Sequence, residues 1–179
     1  MSEQFTALSE KHISFIQQQA IFFVGTAADG GLVNVSPKGM DSFRVISPTK
    51  IIWLNLTGSG NETAAHLLEN ARMTVMFCSF DKQPLILRLY GSAKAIHPRD
   101  AKWDEARSYF PEHVGTRQFF ELDLSLVQTS CGYAVPLFDT KKERPTLQKW
   151  AKNKGQRGIE DYWKENNLRS LNDKETNIF

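Results

Sequence analysis

Between Ile21 and Ser130 the chain is a succession of short β-prone runs, and only two helical stretches interrupt them. A parallel doubly wound sheet needs a crossover helix after nearly every strand, so this rhythm argues against it. The pattern predicts an α+β chain that is mainly β, an antiparallel barrel with peripheral helices.

The runs can be placed one by one. Ile21-Phe22-Phe23-Val24-Gly25-Thr26 reads as a strand, Asp29-Gly30-Gly31 as a tight turn and Leu32 to Ser36 as the return strand of a hairpin. Phe43 to Ile46 and Ile51 to Leu56 form a second pair around Ser47-Pro48-Thr49. A short helix over Thr63 to Asn70 presents Ala64, Leu67 and Leu68 on one stripe. Met73 to Phe77 is a strand, Asp81 to Pro84 a turn, and Leu85 to Ile96 a long strand in which Gly91 marks a bulge or bend. Pro98 opens a helix continuing from Ala101 to Tyr109, and Phe119 to Leu124 begins a strand reaching towards Ser130.

The ends differ from the middle. Phe5, Leu8, His12, Phe15 and Ile16 recur at helical spacing and predict an amphipathic first helix. After Asp139 the run Lys141-Lys142-Glu143-Arg144, then Leu147, Trp150, Ala151, Ile159, Tyr162 and Trp163, predicts polar helices with narrow aromatic stripes. Gly155 ends the first of these. The expected division is a barrel domain over 1–140 and a helical extension over 141–179, packed on the barrel or on a dimer partner.

With 22 basic and 20 acidic residues spread along the chain, there is no polybasic stripe, which argues against a nucleic-acid partner. No run approaches the ~18 apolar residues of a membrane span, and Met1-Ser2-Glu3-Gln4 carries acid where a signal peptide carries base. A cytoplasmic protein with no membrane partner is expected. Cys78 sits in an apolar run and reads as a buried reduced thiol; with Cys131 it makes no disulfide framework. His12, His66, His97 and His113 fall in no metal-ligand spacing, and no nucleophile elbow surrounds any serine.

One loop stands out. Gly58-Ser59-Gly60-Asn61 joins a strand to a helix start near Thr63, where unpaired N–H groups and the helix dipole suit an anion. Upstream, Val35-Ser36-Pro37-Lys38-Gly39 supplies a cation that could meet the same anion. Each feature has a plainer reading. Ser59, Asn61 or Thr63 can cap the helix. Lys38 can be a solvated loop lysine, Trp53 a core residue beside Asn55, and Arg88 the partner of an acid across the barrel.

The order of these features resembles the pyridoxamine 5'-phosphate oxidase-like family of FMN-binding split barrels. The carriers are the hairpin at Asp29-Gly30-Gly31, Ser36-Pro37-Lys38-Gly39, the strand ending at Asn55 and the Gly58 to Asn61 loop. Glu69-Asn70-Ala71-Arg72-Met73 and Leu87-Arg88-Leu89-Tyr90-Gly91 follow them. The tail from Cys131-Gly132-Tyr133 through Trp150 is similar to an uncharacterised subgroup.

The resemblance implies a homodimeric Greek-key split barrel with FMN in clefts between subunits. It points to Ser36, Pro37, Lys38, Gly39, Trp53, Asn55, Ser59, Gly60, Asn61, Thr63 and Arg88 as cofactor-binding positions. It further implies a flavoprotein oxidoreductase with a small-molecule redox substrate, needing no catalytic acid–base pair of its own. A non-catalytic flavin-sequestering protein, or a deazaflavin- or haem-binding relative, stays open. One departure is visible: vitamin oxidases of the family carry a basic pair at the start of the short helix, where this chain has Glu62 and Thr63.

Overall fold

The computed structural model describes residues 2–138 and 144–179. Lys141, Lys142, Glu143 and the expected domain boundary lie outside the described residues. In chain order the elements are β1 (Glu3–Phe5), α1 (Glu10–Gln17), β2 (Phe22–Thr26), β3 (Asn34–Lys38), β4 (Phe43–Ser47) and β5 (Lys50–Leu56). Then come α2 (Glu62–Glu69), β6 (Arg72–Cys78), β7 (Ile86–Ile96), α3 (Trp103–Ser108), β8 (Thr116–Ser130) and α4 (Thr146–Asn166).

All strand pairings are antiparallel, in the order β3-β2-β6-β7-β8-β5-β4, with β1 added on β8. The sheet curls into a split barrel whose edges are β3 and β4. β8 is the longest strand and organises the closure: β7 runs along one side, while β5 and then β1 occupy the other. The register of β7 and β8 shifts at Gly91, where an added Cβ would meet Asp123 O at 1.9 Å. Glycine is obligatory there because the neighbouring backbone occupies the space.

Alternation along the strands sends Val24, Trp53, Val75, Phe77, Leu87, Leu89, Phe120 and Leu122 into the barrel interior. Ile52, Leu54, Ile96 and Phe119 point the other way and are covered by α3 through Ala106. β5 is thus buried on both faces, which is why it reads as an unbroken apolar run.

Several boundaries differ from expectation; α3, for one, begins at Trp103 rather than at Pro98. Phe5 is not helical; it pairs with Val127 in β1. α1 starts only at Glu10 because Ser9 caps it, the Ser9 hydroxyl accepting from His12 N and the His12 ring accepting from Ser9 N. The return strand of the first hairpin begins at Asn34 rather than Leu32, since Leu32 N donates to Asn172 Oδ1 at 3.0 Å instead of to a strand partner. That leaves Leu32 and Val33 exposed.

The C-terminal part packs on the barrel of the same chain. Gly155, at φ 66° and ψ 173°, breaks α4 into two helical stretches. Trp163 Nε1 donates to Thr57 Oγ1 at 2.7 Å, and that hydroxyl donates to Gly115 O at 2.9 Å. Ala151, Ile159, Trp163 and Ile178 form a separate apolar cluster. Residues 167–176 then cross to α2, where Lys174 pairs with Glu69. Among the described residues no helix is long and apolar enough to cross a membrane.

Candidate functional site

β3 is an edge strand, so its alternation has consequences at the split. Asn34, Ser36 and Lys38 share one half-buried face, and Val35 and Pro37 point outward. Lys38 Nζ donates to Asn55 Oδ1 at 3.4 Å, across to β5, a strand with which β3 shares no pairing. Asn55 is buried at the end of β5, just before the chain leaves through the Gly58–Gly60 loop into α2.

The two glycine-flanked stretches therefore meet. Ser36, Pro37, Lys38, Asn55, Ser59, Gly60, Asn61 and Thr63 line one polar cavity of about 560 Å³. Three other candidate positions lie elsewhere. Gly39 borders an adjoining, mostly apolar cavity of about 950 Å³ that shares Pro37 and Lys38 and is walled by Met40, Phe80 and Trp150. Trp53 is 0% exposed and stacks on Phe120 at 4.6 Å, with Lys38 Nζ 5.2 Å above its ring. Arg88, on the outer face of β7, donates to Ser130 Oγ at 3.0 Å.

Sequence reasoning missed Arg117. It lines the same cavity from β8 and is only 2% exposed. The sequence pattern starts this strand at Phe119, with Arg117 outside it; the strand begins at Thr116, which puts the arginine inside. Arg117 Nη1 donates to Gly60 O and to Asn167 Oδ1, both at 2.9 Å, while its buried Nε has no hydrogen-bond partner among the described residues.

The electrostatics are lopsided. Burial, with the Arg117 charge adding to it, pushes the Lys38 ammonium down to about 8. Burial also lowers the Arg117 guanidinium to about 10. Neither cation forms an ion pair with a carboxylate among the described residues. Two desolvated positive charges sharing a polar cavity are costly unless an anion joins them.

The start of α2 borders the same cavity. Asn61 precedes α2 but makes no side-chain cap. Its amide is engaged instead with Gln118, which donates Nε2 to Asn61 Oδ1 at 2.6 Å. Among the described residues no side chain caps the first turn of α2. Glu62, the one acid among the described residues of the wall, has both carboxylate oxygens accepting from Leu171 N at 3.0 and 3.1 Å. Arg169, also in the wall, is paired with Asp173 and Glu175.

Among the described residues no group of three or more His, Cys, Asp or Glu is placed to hold a metal. Cys78 is buried and its thiol is pushed up by that burial, while Cys131 is exposed; both are free.

Against known families, the model described as pyridoxamine 5'-phosphate oxidase matches residues 8–131. This chain belongs to that family. A curated relative, the pyridoxamine 5'-phosphate oxidase family protein ustO of Aspergillus flavus, is 39% identical over 93% of this chain and 74% of its own length. Solved structures of the same fold include HupZ of Group A Streptococcus at TM-score 0.54 and 17% identity, covering 66% of this chain and 91% of that one. A putative pyridoxamine 5'-phosphate oxidase of Lactobacillus delbrueckii follows at TM-score 0.52 and 20% identity, covering 69% and 94%. HutZ, a haem storage protein of Vibrio cholerae, is similar at TM-score 0.50 and 17% identity, covering 71% and 98%. The family match takes in β2 to β8 and stops before α4, so the Asn166–Leu171 part of the cavity wall lies beyond it.

Proposed function

We propose that this pyridoxamine 5'-phosphate oxidase family member is an FMN-binding oxidoreductase whose polar cavity takes the flavin's phosphate. The observation that carries the reading is the pair of cations in one cavity, half-buried Lys38 and buried Arg117, left without a carboxylate among the described residues. A phosphate dianion matches two such charges, and the uncapped first turn of α2, the Ser36, Ser59 and Thr63 hydroxyls and Asn55 supply hydrogen-bonding groups around it. Arg117 stands in for the basic pair that the vitamin oxidases carry at the helix start, where this chain has Glu62 and Thr63. A bound flavin supplies hydride transfer at its ring, and the chain's part is to hold the phosphate and orient the cofactor.

A homodimer belongs to the same proposal. Leu32, Val33 and Val35 are 63, 72 and 65% exposed on the β2–β3 hairpin beside the cavity. Gly39, Trp53 and Arg88, which do not line the phosphate cavity of their own chain, remain candidates for the rest of the cofactor. Haem fits the cavity less well, because among the described residues no His, Cys, Met or Tyr lines it to serve as an axial ligand.

The test is spectroscopic. Purified protein, as isolated or after incubation with FMN and gel filtration, should show the absorbance of oxidised flavin, bleached by NADH or NADPH and restored by air. Retained flavin that neither nucleotide bleaches would make the protein a flavin carrier without turnover. Protein that stays colourless would remove the flavin reading.

A further inference from the structure

Asn167 follows α4 and is fully buried, at 0% exposure, where its side chain bonds two parts of the cavity wall, Arg117 and the Gly58–Ser59 loop. Its Oδ1 accepts from Arg117 Nη1 at 2.9 Å. Its Nδ2 donates to Gly58 O at 3.1 Å and to Ser59 O at 3.4 Å. One amide therefore ties the buried guanidinium to the loop whose N–H groups precede α2. The loop is held a second time by Arg117 itself, through Gly60 O at 2.9 Å.

The amide is held as tightly as it holds. Asn167 N donates to Trp163 O at 2.8 Å, and the Thr176 hydroxyl donates to Asn167 O at 2.5 Å. Trp163 is in turn anchored to Thr57. Further along, Leu171 N occupies the Glu62 carboxylate. An asparagine suits the junction because its side chain offers one acceptor and two donors with no charge. An aspartate would present a carboxylate to the Gly58 and Ser59 carbonyls and would cancel the Arg117 charge.

We propose that Asn167 is the positioning residue of the anion site: it fixes Arg117 and the Gly58–Gly60 loop relative to each other, so that the C-terminal segment, beyond the family match, sets the affinity for a phosphate-bearing ligand. The claim rests on the anion reading of the cavity and names what builds it. Asn167 need not touch the ligand.

The test compares Asn167→Asp and Asn167→Ala with wild-type full-length protein, titrated with FMN, with riboflavin and with inorganic phosphate. The expected result is a loss of at least ten-fold in FMN and phosphate affinity for both variants, larger for Asn167→Asp, with riboflavin affinity unchanged. FMN and riboflavin weakened by equal factors would reduce Asn167 to a merely structural role and overturn the proposal, as would unchanged FMN affinity. If wild type binds phosphate but neither flavin, the flavin reading fails while the phosphate arm still decides for or against Asn167. Should both variants fail to fold, hydrogen exchange on wild type decides. Phosphate that protects Gly58–Thr63 and 167–172 together supports the coupling, and protection of the loop alone contradicts it.

Discussion

Lys38 on β3 donates to Asn55 on β5 at 3.4 Å, joining across the mouth of the split two strands that share no backbone pairing. The bond holds the ammonium over a polar cavity and above the Trp53 ring, and burial there depresses its pKa to about 8. With no carboxylate partner among the described residues, such a lysine would be stabilised by an anion from outside the chain, as the proposed function requires.

Replacing it tests that directly. Lys38→Met should weaken FMN by roughly 1–3 kcal/mol, the range for a charge-assisted contact, and leave riboflavin binding unchanged. The ligand-free variant should unfold at the same urea concentration as wild type or a higher one, because a partly desolvated charge has been removed. Fluorescence titration and urea unfolding give the two readings.

The pH dependence follows from the direction of the shift. Free lysine titrates near ~10.4, so between about 8 and that value the unfolded chain binds more protons than the fold at this site. Ligand-free stability should therefore rise with pH across that window. Anion binding runs the opposite way, since it requires the ammonium. FMN affinity should be level just below the folded value and fall above it, approaching about ten-fold per pH unit. Lys38→Met should flatten both trends.

Glu62 lies in the cavity wall with its charge spent on Leu171 N. Glu62→Gln keeps an acceptor for that N–H and removes the negative charge, so phosphate-bearing ligands should tighten by about three-fold. The loss of an acid from the first turn of α2 should cost about 0.3–1 kcal/mol of stability. Weaker FMN binding in this variant would contradict the assignment of the cavity.

Gly91 carries the barrel's closure. A methyl group there would overlap Asp123 O, so Gly91→Ala should cost at least about 3 kcal/mol or prevent folding altogether. Denaturant unfolding reads the loss. A drop below ~1 kcal/mol would mean that the β7–β8 register gives way easily at this point.

Much of this was legible in the residues. The hairpins, the bulge at Gly91 and the helix break at Gly155 all rest on local chemistry that glycine and turn residues advertise. Ser36-Pro37-Lys38 and Gly58 to Thr63 could be named as a pair because each is conspicuous alone, yet only the fold puts them in one cavity. Arg117 was hidden for a different reason: a charged residue before an apolar strand looks like a loop residue until the strand's true start is known. Asn167 carried no signal at all. The role proposed for it comes from contacts with Arg117 and with the Gly58–Ser59 loop, far earlier in the chain, which no local pattern encodes. Phe5 misled because its spacing fits a helix, and the Ser9 cap, which fixes where the helix begins, outweighs that spacing.

The most direct measurement is a parallel titration of ligand-free protein with FMN and with riboflavin, which differ only by the phosphate. The account predicts saturable binding of FMN, at least about ten-fold tighter than riboflavin at neutral pH. Equal affinity for the two, or no binding of FMN, would contradict it.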